Sequence, residues 1–231
     1  MSARGAADPT VDPYPPLGGL ALAHGDLDRA ADRRADPAYL PGLLADPATR
    51  VVALRGDRMA VAEAAEGLVL VPRAPTPADA DRLSVFLGVL PAGLPGQLGE
   101  RGEPGQTAYL GVVEDDEPGE GWANLRAAGL RLADRDAAIV TTLLALANWH
   151  RTHGHCPRCG APTEPVAAGW VRRCPVDGTE HFPRTDPSII VSVVDEAGRL
   201  LLGRGVQWPE NQFSVLAGFV EPGESLETAV A

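Results

Sequence analysis

Short apolar runs with strand-like spacing dominate the chain before residue 115, and helical spacing appears only afterwards. Arg50-Val-Val-Ala-Leu-Arg55 and Arg58-Met-Ala-Val61 flank Gly56-Asp57, a pattern that reads as strand, turn, strand. Residues 67–71 continue as a third strand. Residues 84–90 and 107–113 are two further apolar, β-rich runs, with a Pro/Gly-rich connector, 91–105, between them. Residues 17–130 therefore predict a mostly β domain with one or two helices. Asp134 stands where it could cap a helix over 135–152. Ile139, Val140, Leu143, Leu144, Leu146 and Ala147 give that helix a broad apolar face. Beyond Pro183, residues 188–194 predict a strand, 196–198 a turn, and 199–203 the returning strand. Residues 213–216 predict one more strand before a Gly/Pro loop. From Ser225, Leu226, Ala229 and Val230 open an amphipathic helix.

Composition narrows the class. A length of 231 residues suits one or two domains. Hydrophobic residues make up 45% of the chain and aromatic residues only 5%, so Leu, Val and Ala must carry the core. Acidic residues outnumber basic ones 31 to 20, for a net charge of −11. That balance argues against non-specific nucleic-acid binding, which depends on neutralising phosphates. It leaves open a phosphate-bearing substrate held through metal ions. No apolar run approaches the ~18 residues of a membrane span. Residues 1–16, rich in Pro, Ala and Asp, lack the basic start and apolar stretch of a signal peptide. They read as a loose tail on a cytoplasmic protein with no membrane partner.

All three cysteines fall between 156 and 174. In a reducing compartment such clustering points to metal before disulfide. Cys156-Pro-Arg-Cys159-Gly reads as a zinc knuckle, whose thiolates point to one side while the glycine lets backbone amides approach the sulfurs. A ribbon needs a second knuckle about 15–20 residues later. Cys174 sits at that separation, but its partner position holds Asp177. A carboxylate can ligate zinc, and His155 or His181 could also complete the set. The alternative is a ribbon held by packing alone. The candidate ligands are Cys156, Cys159 and Cys174, with Asp177 ahead on spacing for the fourth place. Zinc bound there would be structural, because four protein ligands leave no position for substrate.

The stretch Leu216-Ala-Gly218-Phe-Val-Glu-Pro-Gly-Glu224 places a glycine and a glutamate six residues apart, between a predicted strand and a predicted helix. Alone, this spacing is also that of a solvated turn. Its context is His181-Phe-Pro-Arg-Thr-Asp-Pro-Ser-Ile-Ile190 and the cysteine cluster ahead of it. Together these segments closely resemble the NADH pyrophosphatase subfamily of Nudix hydrolases. Gly218 and Glu224 match the first two positions of the Nudix signature. The resemblance is clear over residues 149–231 and is one of pattern before that.

The resemblance implies an α+β multidomain fold, with a β-rich N-terminal domain, a zinc ribbon and an incomplete Nudix α/β/α sandwich. The expected boundaries are a tail over 1–16, an N-terminal domain over 17–152 that includes the linking helix 135–152, a ribbon over 153–183, and a truncated Nudix domain over 184–231. It further implies metal-dependent hydrolysis of the NAD(H) diphosphate to nicotinamide mononucleotide and AMP, and in some members removal of NAD caps from RNA. Structural Zn²⁺ and catalytic Mg²⁺ or Mn²⁺ are the implied cofactors. Ala217 and Gly218 are expected to offer backbone contacts to phosphate or metal, and Phe219 to stack on a base or nicotinamide ring. Glu224 is expected to support the loop rather than act as catalytic base. The metal-binding glutamates belong to a signature segment beyond residue 231, so the fragment itself is expected to be inactive, with no catalytic residue of its own. Family members are homodimers, and the same is expected here. Two readings compete: a Nudix hydrolase of another nucleoside diphosphate such as ADP-ribose, and a non-catalytic zinc-ribbon binding module. His150 and His153, in the last turn of the linking helix, suit its dipole. Trp149 and Trp170 are expected to pack the ribbon against that helix.

Overall fold

The computed structural model describes residues 25–91 and 106–231. The predicted tail, 1–16, and all but the first residue of the Pro/Gly-rich connector lie outside them. The chain divides into two compact units at Pro183, and the fold is α+β as expected.

In the first unit, β1 (Arg50–Arg55) and β2 (Arg58–Ala64) form the anticipated hairpin. Gly56 adopts φ +61 at its turn, a conformation that costs glycine nothing. β3 (Gly67–Leu70) pairs antiparallel with β2, and β4 (Ser84–Leu90) pairs antiparallel with β5 (Thr107–Glu114). β5 then runs parallel to β1 along its whole length, from Arg50↔Tyr109 to Arg55↔Glu114. The resulting order is β3-β2-β1-β5-β4, with β6 (Trp122–Asn124) on β2. No local pattern announces the parallel contact, which joins segments more than fifty residues apart.

Both faces of this sheet are covered. One buries Val52, Leu54, Met59, Val85 and Leu87 against Ile139, Val140, Leu143 and Leu146. These last four lie on the long helix Asp134–Thr152. The other buries Val51, Phe86, Val89, Leu110 and Val112 beneath Tyr39, Leu40, Leu43 and Leu44, which belong to α1 (Tyr39–Ala45). A strand flanked on both sides is buried throughout, as β4 is, and after Ser84 it carries no polar side chain. A bulge between Phe86 and Gly88 switches the alternation, so that Val89 joins Phe86 on the α1 face. Gly88, at φ +147, supplies that bend. On β5, a side chain at Gly111 would overlap Leu143, so the glycine lets the long helix sit close to the sheet.

A short helix α2 (Leu125–Ala128) precedes the long helix, which is α3. Asp134 is the first residue of α3 and not its cap. The N-cap is Ala133, with no side-chain hydrogen bond. The carboxylate that is used lies two residues on, in the same first turn, where Asp136 Oδ2 accepts from the Leu70 N–H at 2.9 Å. A tertiary partner has thus replaced the local cap that spacing suggested.

At one end of the sheet, buried Asp79 and Glu114 share an arginine network. Arg73 donates to both Asp79 oxygens at 2.6 and 2.7 Å and to Glu114 Oε1 at 2.7 Å. Arg55 Nε donates to Glu114 Oε2 at 2.8 Å. Burial works to raise both carboxyls, but the guanidinium groups outweigh it and hold both below their ordinary values.

The ribbon completes the unit as a three-stranded antiparallel sheet of β7 (Glu164–Val166), β8 (Val171–Arg173) and β9 (Glu180–His181).

In the second unit, β10 (Ser188–Val191) pairs antiparallel with β11 (Leu216–Phe219), and α4 (Leu226–Val230) follows. Three sequence expectations change. The first strand stops at Val191 instead of 194. The returning strand over 199–203 survives only as the bridges Val194↔Leu200 and Gly203↔Ser214. The last strand shifts to 216–219, so that it contains Gly218. Two paired strands bury little, and Ile190, Val193, Leu200, Leu201 and Leu202 remain exposed.

Glu114→Gln is expected to destabilise the first unit by about 2 kcal/mol at neutral pH, because it removes the buried carboxylate that accepts from two partly exposed guanidinium groups. Urea unfolding would read the shift. Asp79 and Glu114 bind protons less readily folded than unfolded. Their contribution is therefore complete above the unfolded carboxylate range, about pH 4, and is lost as pH falls through the folded values. The gap between wild type and variant should close on acidification, and a gap independent of pH would refute the assignment.

Candidate metal centre and glycine loop

The two halves of the ribbon have the same backbone design. In the first, Cys156 N–H donates to Ala161 O (2.8 Å) and Gly160 N–H to Cys156 O (2.9 Å). In the second, Cys174 N–H donates to Thr179 O (2.9 Å) and Gly178 N–H to Cys174 O (3.0 Å). Gly160 and Gly178 adopt φ +75 and +72. The N–H groups of Arg158 and Cys159 point at the Cys156 sulfur, and those of Val176 and Asp177 at the Cys174 sulfur. Both segments therefore read Cys-Pro-x-(Cys or Asp)-Gly. The sequence reading missed that Pro175 and Gly178 repeat Pro157 and Gly160, a signal that makes the second knuckle whole apart from its last donor.

One donor atom from each of Cys156, Cys159, Cys174 and Asp177 lies within 4.8 Å of the others. This is the single such group among the described residues, and neither His155 nor His181 belongs to it. Asp177 divides its work. Oδ1 accepts from the Thr179 N–H at 2.9 Å, while Oδ2 faces the Cys156 sulfur at 3.6 Å. The Thr179 N–H is the largest cause holding this carboxyl well below the usual range. Burial pushes the Cys174 thiol up to about 11. Burial works the same way on Cys156, but there the N–H groups of Arg158 and Cys159 prevail and lower it. Three sulfurs, one carboxylate oxygen and N–H donors behind the sulfurs suit a tetrahedral zinc ion.

The ribbon is fastened to the sheet domain by His150 and Trp170. His150 is buried, and its Nδ1 lies 2.9 Å from Arg172 Nη1, which can only donate. Nδ1 therefore accepts, and Nε2–H donates to Gly169 O at 2.8 Å. Trp170 Nε1–H donates to Phe86 O at 2.6 Å, and the Arg34 guanidinium lies 3.9 Å from the centre of its ring. Trp170, expected to pack against the linking helix, lies against the core cluster that α3 shares with β4, and its hydrogen bond goes to β4. Trp149 stays within α3, its ring against His150 and His153.

In the second unit, Ala217, Gly218 and Phe219 lie on β11, all exposed, with Phe219 75% accessible. Gly218 pairs with Ile189. The chain then turns through Gly223 at φ +97 into α4, whose cap is the Ser225 side chain accepting from Thr228 N–H. Across the turn, Glu224 Oε2 accepts from the Glu221 N–H at 2.9 Å, and Glu224 N–H donates to Glu221 O at 3.1 Å. The Glu224 carboxylate is thus engaged with the loop backbone. Among the described residues of this unit, no three carboxylates gather to hold a divalent cation.

A family model for the NADH pyrophosphatase-like rudimentary NUDIX domain matches residues 48–149, and one for the NADH pyrophosphatase zinc ribbon domain matches residues 151–182. These two successive segments are domains of the NADH pyrophosphatase family. The chain's N-terminal sheet, flanked by α1 and α3, is the rudimentary NUDIX domain, which periodicity alone described only as β-rich. The NAD-capped RNA hydrolase NudC of Mycobacterium tuberculosis is 44% identical over 126 residues, 54% of this chain and 40% of that protein. The human mitochondrial NAD(P)H pyrophosphatase NUDT13 is 38% identical over 106 residues, 46% of this chain and 30% of that protein. The NAD-capped RNA hydrolase NUDT12 of Macaca fascicularis is 36% identical over 110 residues, 44% of this chain and 24% of that protein. The matched segments span two fifths or less of these relatives.

Burial, aided by Arg172, lowers the His150 pKa against the opposing bond to Gly169. The folded protein thus binds this proton less readily than the unfolded chain. Ribbon docking is expected at full strength above the unfolded histidine value, about pH 6.5, and to weaken as pH falls below it. Urea melts at pH 7.5 and 5 should show wild type losing more stability than His150→Gln. Equal losses would clear His150 of this role.

Proposed function

We propose that the whole protein hydrolyses the diphosphate of NAD(H) to nicotinamide mononucleotide and AMP. The single observation that carries this reading is a family-type ribbon followed, in one chain, by a glycine loop whose glutamate is spent on its own backbone. In this reading Ala217 and Gly218 present backbone to a substrate phosphate or its metal. Phe219, exposed beside them, stacks on a base or the nicotinamide ring. Glu224 keeps the loop closed through the Glu221 N–H and moves no proton. Catalytic Mg²⁺ or Mn²⁺, when bound, would neutralise the diphosphate and activate water. The described residues offer that ion no carboxylate cluster, so their part is to bind and orient.

Cys156, Cys159, Cys174 and Asp177 would hold one structural zinc, with Asp177 ligating through Oδ2 alone. Removal of NAD caps from RNA is a second reading, favoured by the names of the NudC and NUDT12 relatives. No helix among the described residues is long and apolar enough to cross a membrane. A thiolate cluster suits a reducing compartment, so we place the protein in the cytoplasm, and by family resemblance as a homodimer.

The test is product analysis on the complete gene product, with NADH, NAD⁺, ADP-ribose and NAD-capped RNA as substrates. Nicotinamide mononucleotide and AMP should form from NADH with Mg²⁺ or Mn²⁺ and not with chelator. Turnover of ADP-ribose with NADH left intact would overturn the assignment. Phe219→Ala is expected to raise KM for NADH roughly fivefold, the loss of about 1 kcal/mol of stacking, and an unchanged KM would remove Phe219 from the site. Asp177→Ala should weaken zinc at least about tenfold in chelator competition, the range seen when even outer partners are lost. His155→Ala and His181→Ala should leave zinc affinity unchanged. Zinc loss on changing either histidine, with Asp177→Ala silent, would reassign the fourth ligand.

A further inference from the structure

The ribbon's sulfurs are unequally placed. Cys159 Sγ and Cys174 Sγ are 3.5 Å apart, while Cys156 Sγ is turned toward Asp177 Oδ2 at 3.6 Å. Cys159 is exposed, whereas Cys156 and Cys174 are buried. The close pair therefore joins an accessible sulfur on one knuckle to a protected sulfur on the other. The fourth donor, a carboxylate, takes no part in thiol chemistry.

We propose that Cys159 and Cys174 form a thiol–disulfide pair, in which oxidation by a peroxide releases the zinc and leaves the two knuckles joined by a covalent bond. The proposal rests on reading the cluster as a zinc site. The Cys159 thiolate attacks the peroxide, the O–O bond breaks, one water leaves and a sulfenic acid remains. Cys174 Sγ then attacks the Cys159 sulfur, the S–O bond breaks, and a second water leaves as the S–S bond forms. Two electrons pass from the sulfurs to the peroxide. Both sulfurs are thiolates in the zinc-bound state, so solvent supplies the two protons, and Zn²⁺ departs with two of its three thiolate ligands consumed.

The sulfurs must close from 3.5 Å to the roughly 2.0 Å of a disulfide, a movement the exposed Cys159 knuckle can supply. A Cys156–Cys159 bond would instead staple the first knuckle to itself and leave the second unattached. With Asp177 in the fourth place, oxidation stops at one disulfide and one thiol. Four thiolates would permit two disulfides. The Asp at this position thus makes the change a single, reversible step.

Trypsin resolves the pairing, because Arg158 lies between Cys156 and Cys159, and Arg172 and Arg173 lie between Cys159 and Cys174, so each cysteine falls on its own peptide. The reduced chain is first reconstituted with zinc and its metal content measured. A content near zero overturns the zinc reading, while the peptide map still decides the pairing. On titration with hydrogen peroxide, free thiols should fall from the three of the sequence to one, in step with zinc release to a chromophoric chelator. Linked peptides should carry Cys159 and Cys174, and dithiothreitol with added zinc should reverse both changes. The proposal is overturned if Cys156 appears in the disulfide, if zinc is retained while thiols are lost, or if Cys159 passes to sulfinic acid with no cross-link. Cys156→Ser should keep the cross-link and Cys174→Ser should abolish it. The wild-type map gives the answer even where a variant fails to fold.

Discussion

A buried imidazole with both nitrogens engaged holds the first unit together as one body. His150 ends the long helix that covers one face of the sheet, and its hydrogen bonds reach the Ala167–Gly169 turn and β8 of the ribbon. Arg172 can only donate, so the ring must remain neutral with its proton on Nε2. The ribbon thereby inherits its position from α3, and α3 inherits its own from the sheet. Trp170 adds a second fastening on β4, and Ala168 of the same turn is buried with Phe86. A small metal-binding module that buries little of its own surface gains stability by borrowing the core of its neighbour.

Glycine and burial set the sheet's geometry. Gly111 allows Leu143 to enter, and Gly88 bends β4 so that Phe86 and Val89 meet α1. The acidic surplus of the chain does not dilute this core. Asp79 and Glu114, the two carboxylates it buries near the sheet edge, are matched by Arg73 and Arg55 at hydrogen-bond distance. A buried carboxylate without such a partner would be protonated or expelled.

The two candidate chemical elements differ in completeness. The ribbon presents four converging donors on two equivalent backbone knuckles, which makes it a site by geometry as well as by sequence. The glycine loop presents an exposed strand, a closed turn and a capped helix start, with its one engaged carboxylate facing its own backbone. The first element supplies structure. In the proposed function the second would supply a surface for a diphosphate and a ring.

Elements and family were legible in the sequence because they depend on local order. Strands β1 to β5, helix α3 and the knuckle at Cys156 follow from alternation, helical spacing and Cys-x-x-Cys-Gly, all readable within a few residues. Asp177 stood out as a departure from the expected cysteine, and Gly218 with Glu224 as half of a signature. What needed the tertiary structure was every pairing between distant segments. The parallel run of β5 on β1, the move of the helix's working carboxylate from Asp134 to Asp136, the docking of Trp170 on β4 and the double role of His150 each join residues from separate stretches of chain. In the second unit the strands proved shorter than their apolar runs, since alternation marks a face that could be buried and only a partner layer decides that it is. Sequence determined which side chains could serve as donors and which runs could be strands. The folded chain decided which of them meet, because hydrogen bonds and packing act over a few ångströms and depend on spatial distance rather than sequence separation.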